Sequence, residues 1–468
     1  MRMTNRLAGV VLFAAALLGA RTTIFAADAA PAADSDSIVV MISVDGLAGY
    51  YIDDPKAEMP TIRQLAKEGA RADSMRAIAP TVTWPNHTTL VTGDYSNRHG
   101  VVGNNYYDRE TGKQVTLIGD PVFDKDKIVK VPTIYDLAKQ AGLRTASIRW
   151  PASRNAKTLD WTMPDVLNLE TMRQYTTPSV LEESRADGHP LDTDDPKDPG
   201  KIGQLGPQDD ADTRAFIRIL HEHRPQLALL HLIIVDHTEH AHGPRSPEAY
   251  AAVKEADQRV HDVLDELNRD FPGKATLLVV ADHGFSPIER AILPNVILRN
   301  AGMLNVKGLR IVGGSVHVVV QGGAAMIYIL DSANRDAIID KVTKAFQDVE
   351  GVEKVLGPDG MKQYHIADPK TDPHAPDMML FADEGCTFGD TAGGALSFIE
   401  KPERKGTHGH DPLLPDLHAT FVAWGQGIQS GTHLGEIKNI DVAPTIAALL
   451  HIDMPNTDGH PLTKILSK

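Results

Sequence analysis

The chain has 468 residues, of which 42% are hydrophobic and 23% charged, values typical of a globular protein and not of a disordered or collagen-like chain. Its formal net charge of −15 argues against a role in coating nucleic acid, because a phosphate backbone attracts clustered Lys and Arg. The single cysteine, Cys386, excludes a disulfide within the chain and a four-cysteine zinc site. The length predicts a main domain with a subdomain or insert.

The N-terminal residues have the pattern of a secretory signal peptide. A basic start precedes an apolar run over 8–18, and alanine-rich candidate cleavage sites follow near 26–29. The run is short for a transmembrane helix, and an uncleaved membrane anchor is the alternative. We predict a signal peptide over 1–29, a flexible leader over 30–36, and a periplasmic or secreted mature protein with no stable membrane span.

Alternating strand and helix patterns predict an α/β fold, with a mostly parallel sheet and helices on both of its faces. The strands are predicted from continuous apolar runs and the helices from apolar residues at helical spacing. In chain order we predict a strand at 37–44, helices at 60–67 and 133–141, strands at 145–148 and 227–235, a helix after Ser246, strands at 275–281 and 419–423, and a helix at 442–450.

Two stretches interrupt this alternation. Residues 180–210 are rich in Asp, Pro and Gly, which predicts a long surface loop. Residues 293–380 contain strand, helix and strand patterns, and we predict that they form a small inserted α+β lobe. The main domain is therefore predicted to comprise 37–292 and 381–468.

Carboxylate and imidazole side chains follow the predicted strands, at the edge where ligands bind in open α/β sheets. Such a mixture favours a zinc-like metal, and seven or so donors exceed the four ligands of one tetrahedral zinc. Two metals about 4 Å apart could clamp the attacking and leaving oxygens of a displacement at phosphorus. Helix caps or buried hydrogen bonds are the alternative for any single residue. The candidates are Asp45, Asp236, His240, Asp282, His283 and the histidines of 406–411.

A candidate nucleophile lies in the segment Pro80-Thr81-Val82-Thr83-Trp84-Pro85. Pro85 is predicted in the first turn of a helix, because proline lacks an N–H and presets φ. Thr83 would then lie just before the helix, where free backbone N–H groups stabilise an anion. Thr81 or Thr83 could instead serve only as an N-cap.

The ordered motifs resemble the nucleotide pyrophosphatase/phosphodiesterase family of the alkaline phosphatase superfamily. They are V-D-G, P-T-V-T-W-P-N-H-T-T-L-V-T-G, H-G-V-V-G-N, D-x-x-x-H, A-D-H-G-F and G-T-H-G-H-D, and they cover nearly the whole mature chain. The resemblance implies an alkaline-phosphatase-like three-layer sandwich. It also implies an exported hydrolase of phosphate diesters or nucleotide pyrophosphates that acts on small molecules.

The resemblance also implies residue roles. Thr83 would be the nucleophile that forms a covalent phospho-threonine, and Asn104 would donate a hydrogen bond to a phosphate oxygen. Two Zn²⁺ ions would be bound, and Trp84 and Trp150 would line the substrate pocket. The implied metal ligands are Asp45, Thr83, Asp282 and His283 for one ion, and Asp236, His240 and His408 for the other.

The preference between diesters and monoesters stays open in the sequence. Trp150-Pro151-Ala152-Ser153 is similar to a diesterase segment, whereas Arg149 and Arg154 could supply the cation that a monoester needs. An alkaline phosphatase-like monoesterase and a phosphonate hydrolase are therefore enzymatic alternatives. An inactive metal- or phosphate-binding protein is the non-enzymatic one.

Overall fold

The structure is a computed structural model that describes residues 36–117, 123–193 and 205–467. The predicted signal peptide and residues 30–35 of the predicted leader lie outside these ranges. Within them, every helix is too short or too polar to cross a bilayer.

The described residues form strands and helices that alternate over most of the chain. The strands are β1 (Ile38–Val44), β2 (Ala70–Arg76), β3 (Asn105–Asp108), β4 (Lys113–Thr116), β5 (Thr145–Ile148), β6 (Trp161–Met163), β7 (Leu227–Leu232), β8 (Ala275–Val280), β9 (Ser286–Ile292), β10 (Leu304–Lys307), β11 (Arg310–Gly314), β12 (Val316–Gln321), β13 (Ala324–Ile329), β14 (Val352–Leu356), β15 (Met378–Ala382), β16 (Gly385–Phe388), β17 (Phe398–Glu400), β18 (Gly406–Thr407), β19 (Phe421–Gly425) and β20 (Thr432–Lys438). The helices are α1 (Pro60–Glu68), α2 (Thr83–Thr92), α3 (Ser96–His99), α4 (Lys125–Ile128), α5 (Ile134–Gln140), α6 (Leu169–Tyr175), α7 (Pro178–Ala186), α8 (Leu205–His223), α9 (Ile234–His242), α10 (Pro247–Asp270), α11 (Pro294–Asn300), α12 (Arg335–Phe346), α13 (Pro358–Gln363) and α14 (Val442–Leu449).

An eight-stranded, mostly parallel sheet forms the centre of the fold, as predicted. Its strand order is β20-β2-β19-β8-β1-β7-β5-β6, and β19 runs antiparallel to both of its neighbours. Every residue of β1, β7 and β8 is buried, which explains their continuous apolar sequences. Helices α8, α9 and α10 pack together in one layer, and α2, α5 and α14 pack together in another.

The helix predicted after Ser246 shows how local sequence sets an element. The Ser246 hydroxyl accepts a hydrogen bond from the Ala249 N–H, and Pro247 occupies the first helical position. Val253 and Val260, a little less than two turns apart, are fully buried in the core. The N-cap and the apolar stripe therefore both predict the helix that the structure shows as α10.

A second sheet lies within the segment predicted as an insert. Strands β12, β13, β15 and β14 pair antiparallel in that order, and one face packs against α12 through Ile338, Val342 and Phe346. The last strand of this sheet, β15, ends two residues beyond the predicted boundary at 380. The division into a main domain and an inserted lobe stays a prediction.

Two predicted elements differ from the structure. The strand predicted over 227–235 ends at Leu232, because the Asp209 carboxylate accepts hydrogen bonds from the Ile233 and Ile234 N–H groups and so caps the start of α9. The predicted loop over 180–210 instead contains the end of α7 and the start of α8, and residues 194–204 lie outside the described ranges. Pro178 at the first position of α7 is compatible with a helix start.

Candidate active site

The first cluster of candidate metal ligands lies at the carboxyl ends of β1 and β8. Asp45 follows β1 directly, and Asp282 and His283 follow β8. One side-chain donor atom of each residue lies within 4.8 Å of the others. His283 Nε2 is 3.1 Å from Asp282 Oδ2 and 3.5 Å from Asp45 Oδ1. All three side chains are buried, so three residues predicted as ligands do converge here.

The second cluster is formed by α9 and the segment after β18. Asp236 and His240 lie one turn apart on α9, so both face the same side of the helix. His408 Nε2 is 3.3 Å from Asp236 Oδ1, and His240 Nε2 is 3.6 Å from the same oxygen. Asp236 therefore lies in a helix and not at the end of a strand. Its carboxylate oxygen nevertheless lies close to the ring nitrogens of His240 and His408, the two predicted partners.

The two clusters lie side by side. The rings of His283 and His408 stack with centroids 3.8 Å apart, and the Asp236 N–H donates to the Asp45 carbonyl at 3.1 Å. Gly46, the residue after Asp45, has a φ of +75°, and a Cβ there would lie 3.1 Å from the Asp236 Cα. The glycine of V-D-G thus permits the close approach of the strand end to α9.

Backbone carbonyls orient the three histidines. Nδ1 of His240, His408 and His283 lies 3.0, 3.0 and 3.1 Å from the carbonyls of Gly406, Thr81 and Gly284 respectively. A carbonyl only accepts, so each Nδ1 carries the proton and each Nε2 is free to bind a metal. Burial lowers the pKa of His240, and lowers that of His408 far more strongly, which keeps these rings neutral.

The donor atoms fit cations. Asp45 Oδ1, Asp236 Oδ1, Asp282 Oδ2 and His283 Nε2 are buried and form no hydrogen bond within the described residues. Burial, and then repulsion from Asp282 and Asp236, raises the pKa of Asp45 well above its usual value. Buried carboxylates are costly unless a cation or donors compensate them, so this arrangement is typical of a metal centre.

Thr83 is the first residue of α2, one position further into the helix than predicted. No side-chain hydrogen bond caps this helix, so the N-cap alternative for Thr83 is wrong. Thr81 instead donates to the His410 carbonyl and accepts from the Gly409 N–H, which ties the two motifs together. Thr83 lines a cavity of about 920 Å³ that is also lined by Asp236, His240 and His408.

Asn104 lines the same cavity and is oriented by its neighbours. Its Oδ1 accepts a hydrogen bond from the Trp84 N–H at 2.8 Å, which leaves the Nδ2 donor for a ligand. Gln321 of β12 accepts from the Asn104 N–H through Oε1 and donates to the Asn105 carbonyl through Nε2. No local pattern pointed to Gln321, since its partner lies more than 200 positions away in the chain.

Trp84 and Trp150 are not where the resemblance placed them. Both side chains are fully buried, and neither lines the cavity. Trp84 packs with Val101 and Val102, and Trp150 lies edge-on to the His87 ring. Both large apolar rings are packed inside the core, so neither can stack on a substrate. Val82, which lies beside Trp84 in the chain, lines the cavity instead.

A buried polar network supports the first cluster, and sequence reasoning missed it. His231 Nε2 is 3.0 Å from Asp45 Oδ2, and its Nδ1 is 3.0 Å from the Arg149 carbonyl. The Arg149 guanidinium is itself bonded to Asp212 and is 2% exposed. A polar residue within the apolar run over 227–235 was the available signal for His231.

A third group of possible ligands already has its own cation. His221, Glu266 and Asp270 bring donor atoms together at the ends of α8 and α10. The Arg269 guanidinium forms ion pairs with both carboxylates. We therefore regard this group as an ion-pair network.

An alkaline-phosphatase-like α/β fold, with carboxylate–imidazole clusters at the carboxyl edge of its sheet, is the class that this architecture defines. The chain belongs to the type I phosphodiesterase / nucleotide pyrophosphatase family, whose model matches residues 39–411. This is a family of metal-dependent hydrolytic enzymes. The family resemblance and the fold class predicted from the sequence are thus confirmed.

Relatives with established names agree with this assignment. The chain is 25% identical over 440 residues to human ectonucleotide pyrophosphatase/phosphodiesterase family member 1, covering 92% of this chain and 42% of the relative. It is 25% identical over 437 residues to the venom phosphodiesterase of Naja atra, covering 92% and 46%. The chain spans about half the length of these curated relatives.

Solved structures show the same fold. An inactive variant of murine ectonucleotide pyrophosphatase/phosphodiesterase 5 in complex with AMP superposes with a TM-score of 0.69 at 18% identity. The match covers 92% of this chain and 100% of that chain. The human counterpart gives the same TM-score at 19% identity and 92% coverage of this chain.

Proposed function

We propose that this protein hydrolyses phosphate diesters or nucleotide pyrophosphates through a covalent phospho-threonine at Thr83. One observation carries the proposal: Thr83, Asn104 and the second cluster line a single cavity, and the first cluster packs against the second. The family and the names of its members support a phosphodiester substrate.

Two zinc ions are the proposed cofactors. Asp45, Asp282 and His283, with the Thr83 hydroxyl, would hold one ion, and the second cluster would hold the other. Carboxylate oxygens and imidazole nitrogens are donors that zinc prefers, and their unpartnered atoms point to such a role. Zinc bound there supplies Lewis-acid stabilisation to the oxygens of a displacement at phosphorus.

The chain's own residues would carry the two displacements. Thr83 Oγ1 gives up its proton to solvent and forms a bond to phosphorus while the bond to the leaving oxygen breaks, and that oxygen departs with the electron pair and takes up a proton. A water oxygen then gives up a proton and attacks phosphorus, the bond to Thr83 breaks, and Oγ1 takes up a proton. Asn104 Nδ2 donates to a non-bridging oxygen in both steps, when negative charge on that oxygen is greatest. The net change is the addition of one water across the ester or anhydride bond.

The residues offered for a monoesterase lie elsewhere in the structure. Arg149 is buried against Asp212, and Arg154 bonds to Asp124 and lies over the Tyr175 ring. Neither lines the cavity that contains Thr83. Neither arginine can therefore supply the cation that a monoester needs beside Thr83, and this favours a diester substrate.

Substrate turnover by the zinc-loaded protein tests the proposal. We expect hydrolysis of p-nitrophenyl-thymidine monophosphate well above that of p-nitrophenyl phosphate. Thr83→Ala should lose at least about a thousandfold in kcat, because a nucleophile is removed, whereas Thr83→Ser keeps a hydroxyl and should retain part of the activity. A preference for p-nitrophenyl phosphate would indicate the monoesterase. Zinc-loaded protein that turns over neither compound would indicate the inactive binding protein.

Export is proposed on the N-terminal pattern and on relatives named as ectoenzymes or venom enzymes. The protein recovered from the periplasm or the medium should then lack an N-terminal segment that ends near 26–29, as measured by its mass. Recovery of the full-length chain from the cytoplasm would contradict the prediction.

A further inference from the structure

Arg404 is the one Arg or Lys among the described residues that line the cavity. Two carboxylates besides Asp236, those of Asp390 and Glu403, also line it. Arg404 is exposed and forms no ion pair or hydrogen bond with another described residue. By contrast Arg290, on neighbouring β9, is paired with Glu350 and Glu400. A guanidinium at a phosphate-ester cavity with its donors unused is available to a ligand.

The backbone beside Arg404 is fixed against the second cluster. The Lys405 N–H donates to the His240 carbonyl at 3.0 Å, and the Gly406 carbonyl lies 3.0 Å from His240 Nδ1. Arg404 is therefore held on the side of Asp236, His240 and His408.

That side receives the leaving group if Thr83 acts as proposed, because the Thr83 hydroxyl is proposed to share its ion with the first cluster. Guanidinium binds phosphate oxygens in a bidentate, charge-assisted geometry, which fits a phosphate carried by the leaving group. We propose that Arg404 forms a subsite for a phosphate on the leaving group, so that substrates releasing pyrophosphate or another phosphorylated group are favoured over diesters with an uncharged leaving group. This inference rests on the proposed function.

The test compares two substrates across three variants. ATP would release pyrophosphate, whereas p-nitrophenyl-thymidine monophosphate releases an unphosphorylated nitrophenol. Arg404→Ala should lower kcat/KM for ATP by about tenfold or more, the size of a charge-assisted hydrogen bond, and leave the nitrophenyl ester within about twofold. Arg404→Lys should give a kcat/KM for ATP between those of the wild type and Arg404→Ala, because lysine keeps the positive charge but cannot form the bidentate hydrogen bonds of a guanidinium. Arg310→Ala, which removes an exposed arginine on β11, should change neither value.

Binding provides a second readout. The affinity of α,β-methylene-ATP, measured by calorimetry, should weaken by about tenfold in Arg404→Ala and stay unchanged in Arg310→Ala. An unchanged ratio of the two kcat/KM values in Arg404→Ala, with the nitrophenyl ester still hydrolysed, overturns the subsite alone. A wild-type protein that hydrolyses neither substrate overturns the proposed function and the subsite with it.

Discussion

At the scale of single residues, His231 links the core to the first cluster. Its ring lies between the Arg149 carbonyl and the carboxylate of Asp45, and it is almost fully buried. Burial lowers its pKa well below the usual value, which keeps the ring neutral. A neutral ring has one N–H, so it donates to either the Arg149 carbonyl or the Asp45 carboxylate. Residues that orient a ligand in this way influence metal affinity nearly as much as the ligands themselves.

Replacing His231 with Phe should therefore weaken metal binding at one cluster. We expect affinity at the site of Asp45, Asp282 and His283 to fall by about tenfold to a hundredfold, with the second site unchanged, in a titration that follows bound zinc. His231→Gln, which can still bond to Asp45, should recover part of the loss. His261→Gln, at an exposed position on α10, is the control. Equal weakening at both sites would indicate a general loss of structure.

At the scale of elements, α8 positions the helix that carries Asp236 and His240. Asp209 on α8 accepts hydrogen bonds from the N–H groups of Ile233 and Ile234 at 3.0 to 3.1 Å, where α9 begins. Three residues further along α8, Asp212 bonds to the buried Arg149. One helix thus supports both clusters, through α9 and through the network behind Asp45.

Removal of this cap should act on the second cluster. Asp209→Ala leaves these partly buried N–H groups without their acceptor, at a cost of at most about 1–3 kcal/mol each, and should weaken zinc binding by Asp236, His240 and His408. Asp209→Asn keeps one acceptor and should be milder. Asp340→Ala on the surface of α12 serves as the control. Unchanged zinc affinity in Asp209→Ala, measured by competition with a chromogenic chelator, would show that α9 holds its place without the cap.

At the scale of the whole molecule, the cavity is assembled from segments far apart in the chain. The first cluster follows strands of the central sheet, and the second comes from α9 and the segment after β18. Strand β12 supplies Gln321, which holds the backbone of Asn104 and Asn105. Three carboxylates, from Asp45, Asp236 and Asp282, converge where these segments meet. Their repulsion opposes folding unless cations bind, so stability and metal content should be coupled.

Removal of metal should therefore lower thermal stability as well as activity. We expect Tm to fall by at least about 3 °C after dialysis against a chelator, since each kcal/mol shifts Tm by a few degrees in a large domain. Added Zn²⁺ should restore Tm, and dialysis against a chelator already saturated with Zn²⁺ is the control. A Tm that does not depend on metal would contradict the coupling.

The sequence by itself determined the features that depend on near neighbours. The apolar runs of β1 and β8 predicted strands, the Ser-Pro start predicted α10, and the Asp and His residues that form both clusters were predicted as ligands. A buried strand or a capped helix is written in a few adjacent side chains, and ligands that follow parallel strands meet at one edge.

Tertiary structure alone decided the features that depend on distant partners. Asp209 converted the end of an apolar run into the start of α9, and packing removed Trp84 and Trp150 from the cavity. Hydrogen bonds between distant segments connect His231 to Asp45 and Gln321 to Asn104, and the sequence carried little or no local signal for either residue. Burial and long-range hydrogen bonds are set by contacts between residues far apart in the chain, so local patterns could not reveal them.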